Sequence, residues 1–67
     1  MTNLKRIRES KGLSQSQLAN AINMSKRTLQ GFEQGRRDIN LCAAIVVWKM
    51  ARALGCEVID ILEEETT

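Results

Sequence analysis

The sequence has no histidine, no proline and no tyrosine, and only one phenylalanine, one tryptophan and two cysteines among its 67 residues. Histidine is the commonest acid–base side chain near neutral pH and a favoured zinc ligand. With no histidine, no metal set and no phosphate-cradling loop, catalysis is not expected, and neither is a cofactor. Cys42 and Cys56 match no metal-ligand spacing. If they flank a helix, they stand on the order of 20 Å apart, too far for a disulfide within the chain. They read as small packing residues, with an intersubunit bond or a redox role as alternatives. No apolar run approaches the ~18 residues of a membrane span. Met1 to Ser10 is polar and charged, unlike a secretory signal, so the expected address is cytoplasmic. The length suits one domain over residues 1–67 with a marginal core, a size at which chains often lean on a second subunit.

The net charge of +2 hides a polarised distribution. Residues 1–37 carry eight cations against two carboxylates, and residues 38–67 carry two cations against six carboxylates. One end should attract polyanions while the other repels them.

Helix formers dominate, and Gly12, Asn23, Gly35 and Gly55 divide the chain into five short helical segments, an all-α pattern. The first runs from about Asn3 to Lys11, with Leu4 and Ile7 on one face. Ser14 and Gln17 form a capping box for the second, whose apolar residues are Leu18, Ala19 and Ile22. Asn23 suits the left-handed turn that follows. Ser25 caps a third helix to Gln34, with Leu29 and Phe32 facing inward. Asn40 is expected to cap a fourth helix reaching Leu54, with Gly55 as its stop. A short fifth turn spans about Val58 to Leu62, and Glu63 to Thr67 reads as a frayed acidic tail. Leu41 to Trp48 is eight consecutive apolar residues and could be a buried strand. The helical pattern continues through Met50, Ala51 and Leu54, and a lone strand would have no partner.

Two short helices joined at Asn23-Met24, with small Ala19 at their crossing, make a helix-turn-helix whose second helix lies in the DNA major groove. Once Leu29 and Phe32 point inward, Lys26, Arg27, Gln30 and Gln34 face out. Lys and Arg suit guanine O6 and N7, and Gln suits adenine N6 and N7. Base contacts are therefore expected from Lys26 and Arg27 first, then Gln30. Gln15, at the start of the second helix, is placed beside a phosphate. Arg36 and Arg37 straddle a phosphate, enter the minor groove or stay loose on the surface. Gly31 inside a helix costs about 0.5–1 kcal/mol relative to alanine. It marks either a close approach of its backbone to DNA or another helix, or tolerated drift.

The segments LKRIRESKGLSQSQLANAI, MSKRTLQGFEQGRRDIN and KMARALGC resemble the Cro/cI-type phage repressors, the XRE-like helix-turn-helix family, over Leu4 to Leu62. The resemblance implies a lambda-repressor-like fold of five helices. It also implies that Gln15, Ser25, Lys26 and Arg27 touch DNA, with Gln30 beside them. Arg8 and Glu33 match a pair that forms an internal salt bridge in many members, which makes Arg8 scaffold. Asn23 replaces the usual turn glycine, and Gly31 stands where some members carry a base-reading side chain.

The fourth helix carries more apolar surface than one buried face needs. With Ala44, Val47, Met50, Ala51 and Leu54 facing the core, Leu41, Ile45, Val46 and Trp48 lie wholly or partly outside, although Trp48 also suits a core position. Such a patch usually marks an interface, here a homodimer interface. The expected function is a repressor that binds a palindromic operator in double-stranded DNA as a dimer, with no small-molecule effector evident. The alternative is a protein-interaction module of the same fold, an antitoxin-like or adaptor subunit.

Overall fold

The structure, a computed structural model of the chain, describes residues 1–63. Thr2 opens helix α1, Asn3–Ser10, its hydroxyl accepting the Lys5 N–H. Ser14 opens α2, Gln15–Ala21, with a reciprocal box. The Ser14 hydroxyl accepts the Gln17 N–H at 3.0 Å, and Gln17 Oε1 accepts the Ser14 N–H at 2.8 Å. The turn after α2 needs a left-handed residue, and Asn23 supplies it at φ 55°. Ser25 caps α3, Lys26–Glu33, and Gly35 at φ 78° ends it. The N–H groups of Arg36 and Arg37 both turn back onto the Gly31 carbonyl.

The start of the fourth helix differs from the sequence expectation. Asp38, not Asn40, acts as a cap, and what it caps is a short 3-10 turn, Ile39–Leu41. Helix α4 begins only at Ala44, runs to Leu54 and has no side-chain cap. Asn40 is engaged elsewhere. Its Nδ2 donates to the Glu63 carbonyl at 2.7 Å, and its Oδ1 accepts the Glu63 N–H at 2.9 Å. This two-bond pairing with a strand-like stretch of backbone takes both polar ends of the amide and leaves none for capping. Glu63 is further tied through its carboxylate to the Asn3 N–H at 2.7 Å. Residues 64–67, the rest of the tail expected to fray, lie outside the described residues.

Helix α5, Val58–Ile61, follows Gly55, whose φ of 68° closes α4 in the left-handed region. All five α-helices pack around one apolar core, and no strand occurs among the described residues. Leu4, Leu18, Leu29, Val47, Met50 and Ile61 are its fully buried members, one or two from each helix. Ala44, expected inside, is exposed. Its neighbours Ala43 and Ile45 are exposed too, so the first turn of α4 overhangs the core instead of covering it. No described helix is long and apolar enough to cross a membrane.

One polar contact runs through this core. Arg8 and Glu33 are both buried, and the guanidinium grips the carboxylate with two prongs, Nε to Oε2 at 2.6 Å and Nη2 to Oε1 at 3.0 Å. The remaining nitrogen, Nη1, donates to the Leu13 carbonyl at 2.7 Å. Glu33 raises the Arg8 pKa by hydrogen bonding, against the opposing effect of burial. Thr2 joins the same corner, its hydroxyl donating to the Glu33 carbonyl at 2.9 Å.

Removing one member of a buried pair strands a charge in the interior and costs about 3–5 kcal/mol, on the scale of the whole stability of so small a domain. Glu33→Ala should therefore be largely unfolded at 25 °C by far-ultraviolet circular dichroism. The double variant Arg8→Met with Glu33→Leu should retain a cooperative melt, because no charge is left behind. A Glu33→Ala protein melting within a few degrees of the original contradicts this. Asn40→Ala removes two partly buried hydrogen bonds, and a loss of about 1–3 kcal/mol in urea unfolding is expected.

Candidate nucleic-acid interface

The buried side of α3 carries Leu29, Gly31, Phe32 and Glu33, so the other side of the helix is presented to solvent. Lys26, Arg27 and Gln34 are exposed, and Gln30 is half-buried at the edge of the same face. Ser25 is also exposed. Its hydroxyl accepts the Thr28 N–H at 3.2 Å and donates to the Thr28 hydroxyl at 2.8 Å, which fixes the first turn that carries Lys26 and Arg27. That turn has no acidic residue, so the two cations stand uncompensated at its start.

Gln15 sits at the first position of α2 and points toward α3. Its Nε2 donates to Glu33 Oε1 at 3.0 Å, and its Oε1 accepts from Gln30 Nε2 at 3.1 Å. A line of polar contacts thus leads from Arg8 through Glu33 and Gln15 to Gln30. Sequence reasoning placed these four residues in two unconnected roles. No local spacing signals the link, because Gln15 and Gln30 are brought together only by the crossing of α2 and α3.

The stretch after α3 supplies a second cationic feature. Arg27, Thr28, Gly31, Arg36 and Arg37 line a cleft of about 210 Å³. Three arginines line this recess, and arginine suits a phosphate, which accepts paired N–H bonds from it. The two trailing arginines are not equivalent. The Arg37 guanidinium lies 5.9 Å from the Phe32 ring centroid, and its aliphatic stem crosses Gly31. A Cβ on Gly31 would stand 3.1 Å from Arg37 Cδ and 3.3 Å from Cγ. The close neighbour at this glycine is therefore the side chain of Arg37 of the same chain.

On α4, Leu41, just ahead of the helix, is 84% exposed, Ile45 58% and Trp48 47%, whereas Val46 is half-buried and packs against the core. Trp48 therefore lies at the surface, where the Arg52 guanidinium stacks 5.0 Å from its ring centroid. Ala44, Ile45 and Trp48 make one shallow apolar surface. Cys42 and Cys56 are half-buried free thiols, and burial pushes both pKa values up. Both stay protonated at neutral pH, which makes them poor nucleophiles. Among the described residues no cluster of three or more histidine, cysteine or acidic side chains could hold a metal.

A comparison with family models matches residues 4–61 to a family described as helix-turn-helix. A comparison with curated proteins gives no match. The matched span takes in α1 from its second residue, the four helices after it, the Arg8–Glu33 pair, both turns around α3 and the cationic cleft beside it. The chain belongs to the helix-turn-helix family of the Cro/cI (XRE) type, a family of DNA-binding transcription regulators.

Proposed function

We propose that the chain is a sequence-specific repressor that binds a palindromic operator in double-stranded DNA as a homodimer. The observation that carries this reading is the outward face of α3: two uncompensated cations in its first turn, an amide behind them and an arginine-lined recess between the helix and the stretch that follows it. Lys26 and Arg27 contact base edges, where a basic side chain pairs with guanine O6 and N7. Gln30 reads one further base. Gln15, Ser25 and Arg36 hold the neighbouring phosphates, contacts that set register and carry no sequence information. Arg37, packed over Gly31 and Phe32, meets the backbone from a fixed position.

Dimerisation rests on the uncovered apolar surface of Leu41, Ile45 and Trp48, with Val46 at its inner edge. A two-fold pairing through this surface covers it and presents two copies of α3 to major-groove segments about 34 Å apart. A repressor of this kind acts by occupying a promoter, and its occupancy follows its own concentration.

The test begins with duplexes selected by the protein from a random pool, followed by fluorescence anisotropy at several salt concentrations. Affinity falling steeply with salt, with a residual preference for the selected sequence, is expected. Indifference to DNA overturns the reading in favour of an adaptor subunit. Arg27→Ala should lose about 1–3 kcal/mol of affinity and relax the preference at one base pair. Arg36→Ala should weaken all sequences alike and flatten the salt slope.

Trp48→Glu places a charge in the apolar surface and should yield a folded monomer with weakened operator binding. Sedimentation equilibrium checks this, and an unmodified protein that is monomeric at high micromolar concentration sinks the dimer.

A further inference from the structure

We propose that Gln15, anchored by Glu33, is a positioning residue that makes Gln30 a reader of adenine and not of guanine. The inference rests on the DNA-binding reading above and assigns a base to one of its contacts. It follows from counting the donors and acceptors along one line of hydrogen bonds.

The Glu33 carboxylate is held by the two prongs of Arg8, each of its oxygens accepting an N–H, so it meets its other neighbours as an acceptor. The group of Gln15 that faces Glu33 Oε1 must then be its NH₂, at 3.0 Å. That turns the Gln15 carbonyl oxygen toward Gln30. An oxygen there only accepts, so Gln30 meets it with its own NH₂, at 3.1 Å. The orientation of both amides is thus dictated by the buried ion pair, and neither can flip without placing oxygen against oxygen.

Gln30 is left with one free N–H and one free carbonyl oxygen. Adenine shows one acceptor, N7, and one donor, the N6 amino group, in the major groove. One donor and one acceptor on Gln30 match this pair. Guanine shows two acceptors, N7 and O6. An unrestrained glutamine can offer guanine both protons of its NH₂. Gln30 cannot, because one of them is committed to Gln15 and its carbonyl would face O6. The half-buried setting of Gln15 and Gln30 strengthens the restraint, since water competes less well for the shared proton.

Gln15 therefore has two separable effects on binding. Its second N–H remains free for a phosphate, a contact felt equally by every sequence. Its carbonyl acts on one base pair only, through Gln30.

The experiment measures dissociation constants for the unmodified protein, Gln15→Ala, Gln30→Ala and the double variant. Each is tested on the selected duplex and on duplexes with A·T changed to G·C one position at a time. Gln30→Ala identifies the base pair that Gln30 reads. There the unmodified protein should favour adenine over guanine by about tenfold or more, the scale of one good bidentate contact. Gln15→Ala should reduce that preference several-fold while leaving the preferences at the Lys26 and Arg27 positions intact. In the Gln30→Ala background, Gln15→Ala should cause no further change in preference. A Gln15→Ala protein that weakens adenine and guanine duplexes equally, additively with Gln30→Ala, overturns the proposal and leaves Gln15 as a phosphate contact. So does a Gln30→Ala protein whose adenine preference is unaltered at every position.

A second readout needs neither variant nor DNA. In the free protein, one Nε2 proton of Gln30 should exchange with solvent measurably more slowly than the side-chain amide protons of the exposed Gln34, because it is bonded to Gln15. Gln30 protons that both exchange as fast as those of Gln34 overturn the hydrogen bond itself. An unmodified protein that binds no duplex overturns the DNA reading and the base assignment with it, whatever the amide spectrum shows.

Discussion

Glu33 is the residue around which the domain is organised. A carboxylate that is only 3% exposed must be surrounded by donors, and here they come from two other helices, Arg8 of α1 and Gln15 of α2. Arg8 in turn needs an acceptor for its last nitrogen and finds it at Leu13, in the loop that launches α2. Satisfying one buried charge therefore fixes the mutual placement of α1, α2 and α3. Apolar packing alone is less selective, because Leu, Ile and Met side chains can repack with small shifts. The net stabilisation from such a pair is modest once desolvation is counted. Its effect lies in allowing one arrangement and penalising the others.

Much of this architecture was legible in the sequence, and for identifiable reasons. Ser14 with Gln17, Ser25, Asn23, Gly35 and Gly55 are local signals, since each satisfies or turns the backbone within a few residues. The start of α4 was not legible. The run Leu41 to Trp48 is apolar throughout, so its pattern gives no phase and does not say where the helix begins. Asn40 looked like a cap because asparagine often is one. Its real partner, Glu63, lies 23 residues away, beyond the reach of any local rule. Ala44 failed for a related reason. Its spacing from Val47 and Ala51 is right for the buried face, but the core ends before it does.

The interface shows the same division. Periodicity alone separates Lys26, Arg27 and Gln30 from the buried Leu29 and Phe32. Gly31 was opaque, because a missing side chain gives no indication of what fills its space. The answer, the stem of Arg37, needed the path of the chain after Gly35. That path also separates Arg36 from Arg37, adjacent and chemically identical in the sequence. One is free to move toward a ligand, while the other is braced on Phe32.

These features bear on why a second copy belongs in the proposed mechanism. On the proposed contacts, with no side chain at Gly31, one copy of α3 offers three side chains for base reading: Lys26, Arg27 and Gln30. At the lower end of about 1–3 kcal/mol per contact, three contacts fall short of the about 4–10 kcal/mol that separates specific from non-specific binding. Adding arginines cannot repair this, because phosphate contacts raise affinity for every sequence alike. Reading more base pairs requires a second helix in a second groove, and a two-fold pair supplies it without enlarging the chain. In the proposed dimer the apolar surface at Ile45 and Trp48 is the contact, since it costs little to keep while Arg52 lies over the tryptophan and gains most when covered. A short recognition helix with a glycine at its centre and an overhanging apolar turn on α4 are, on this view, two halves of one solution.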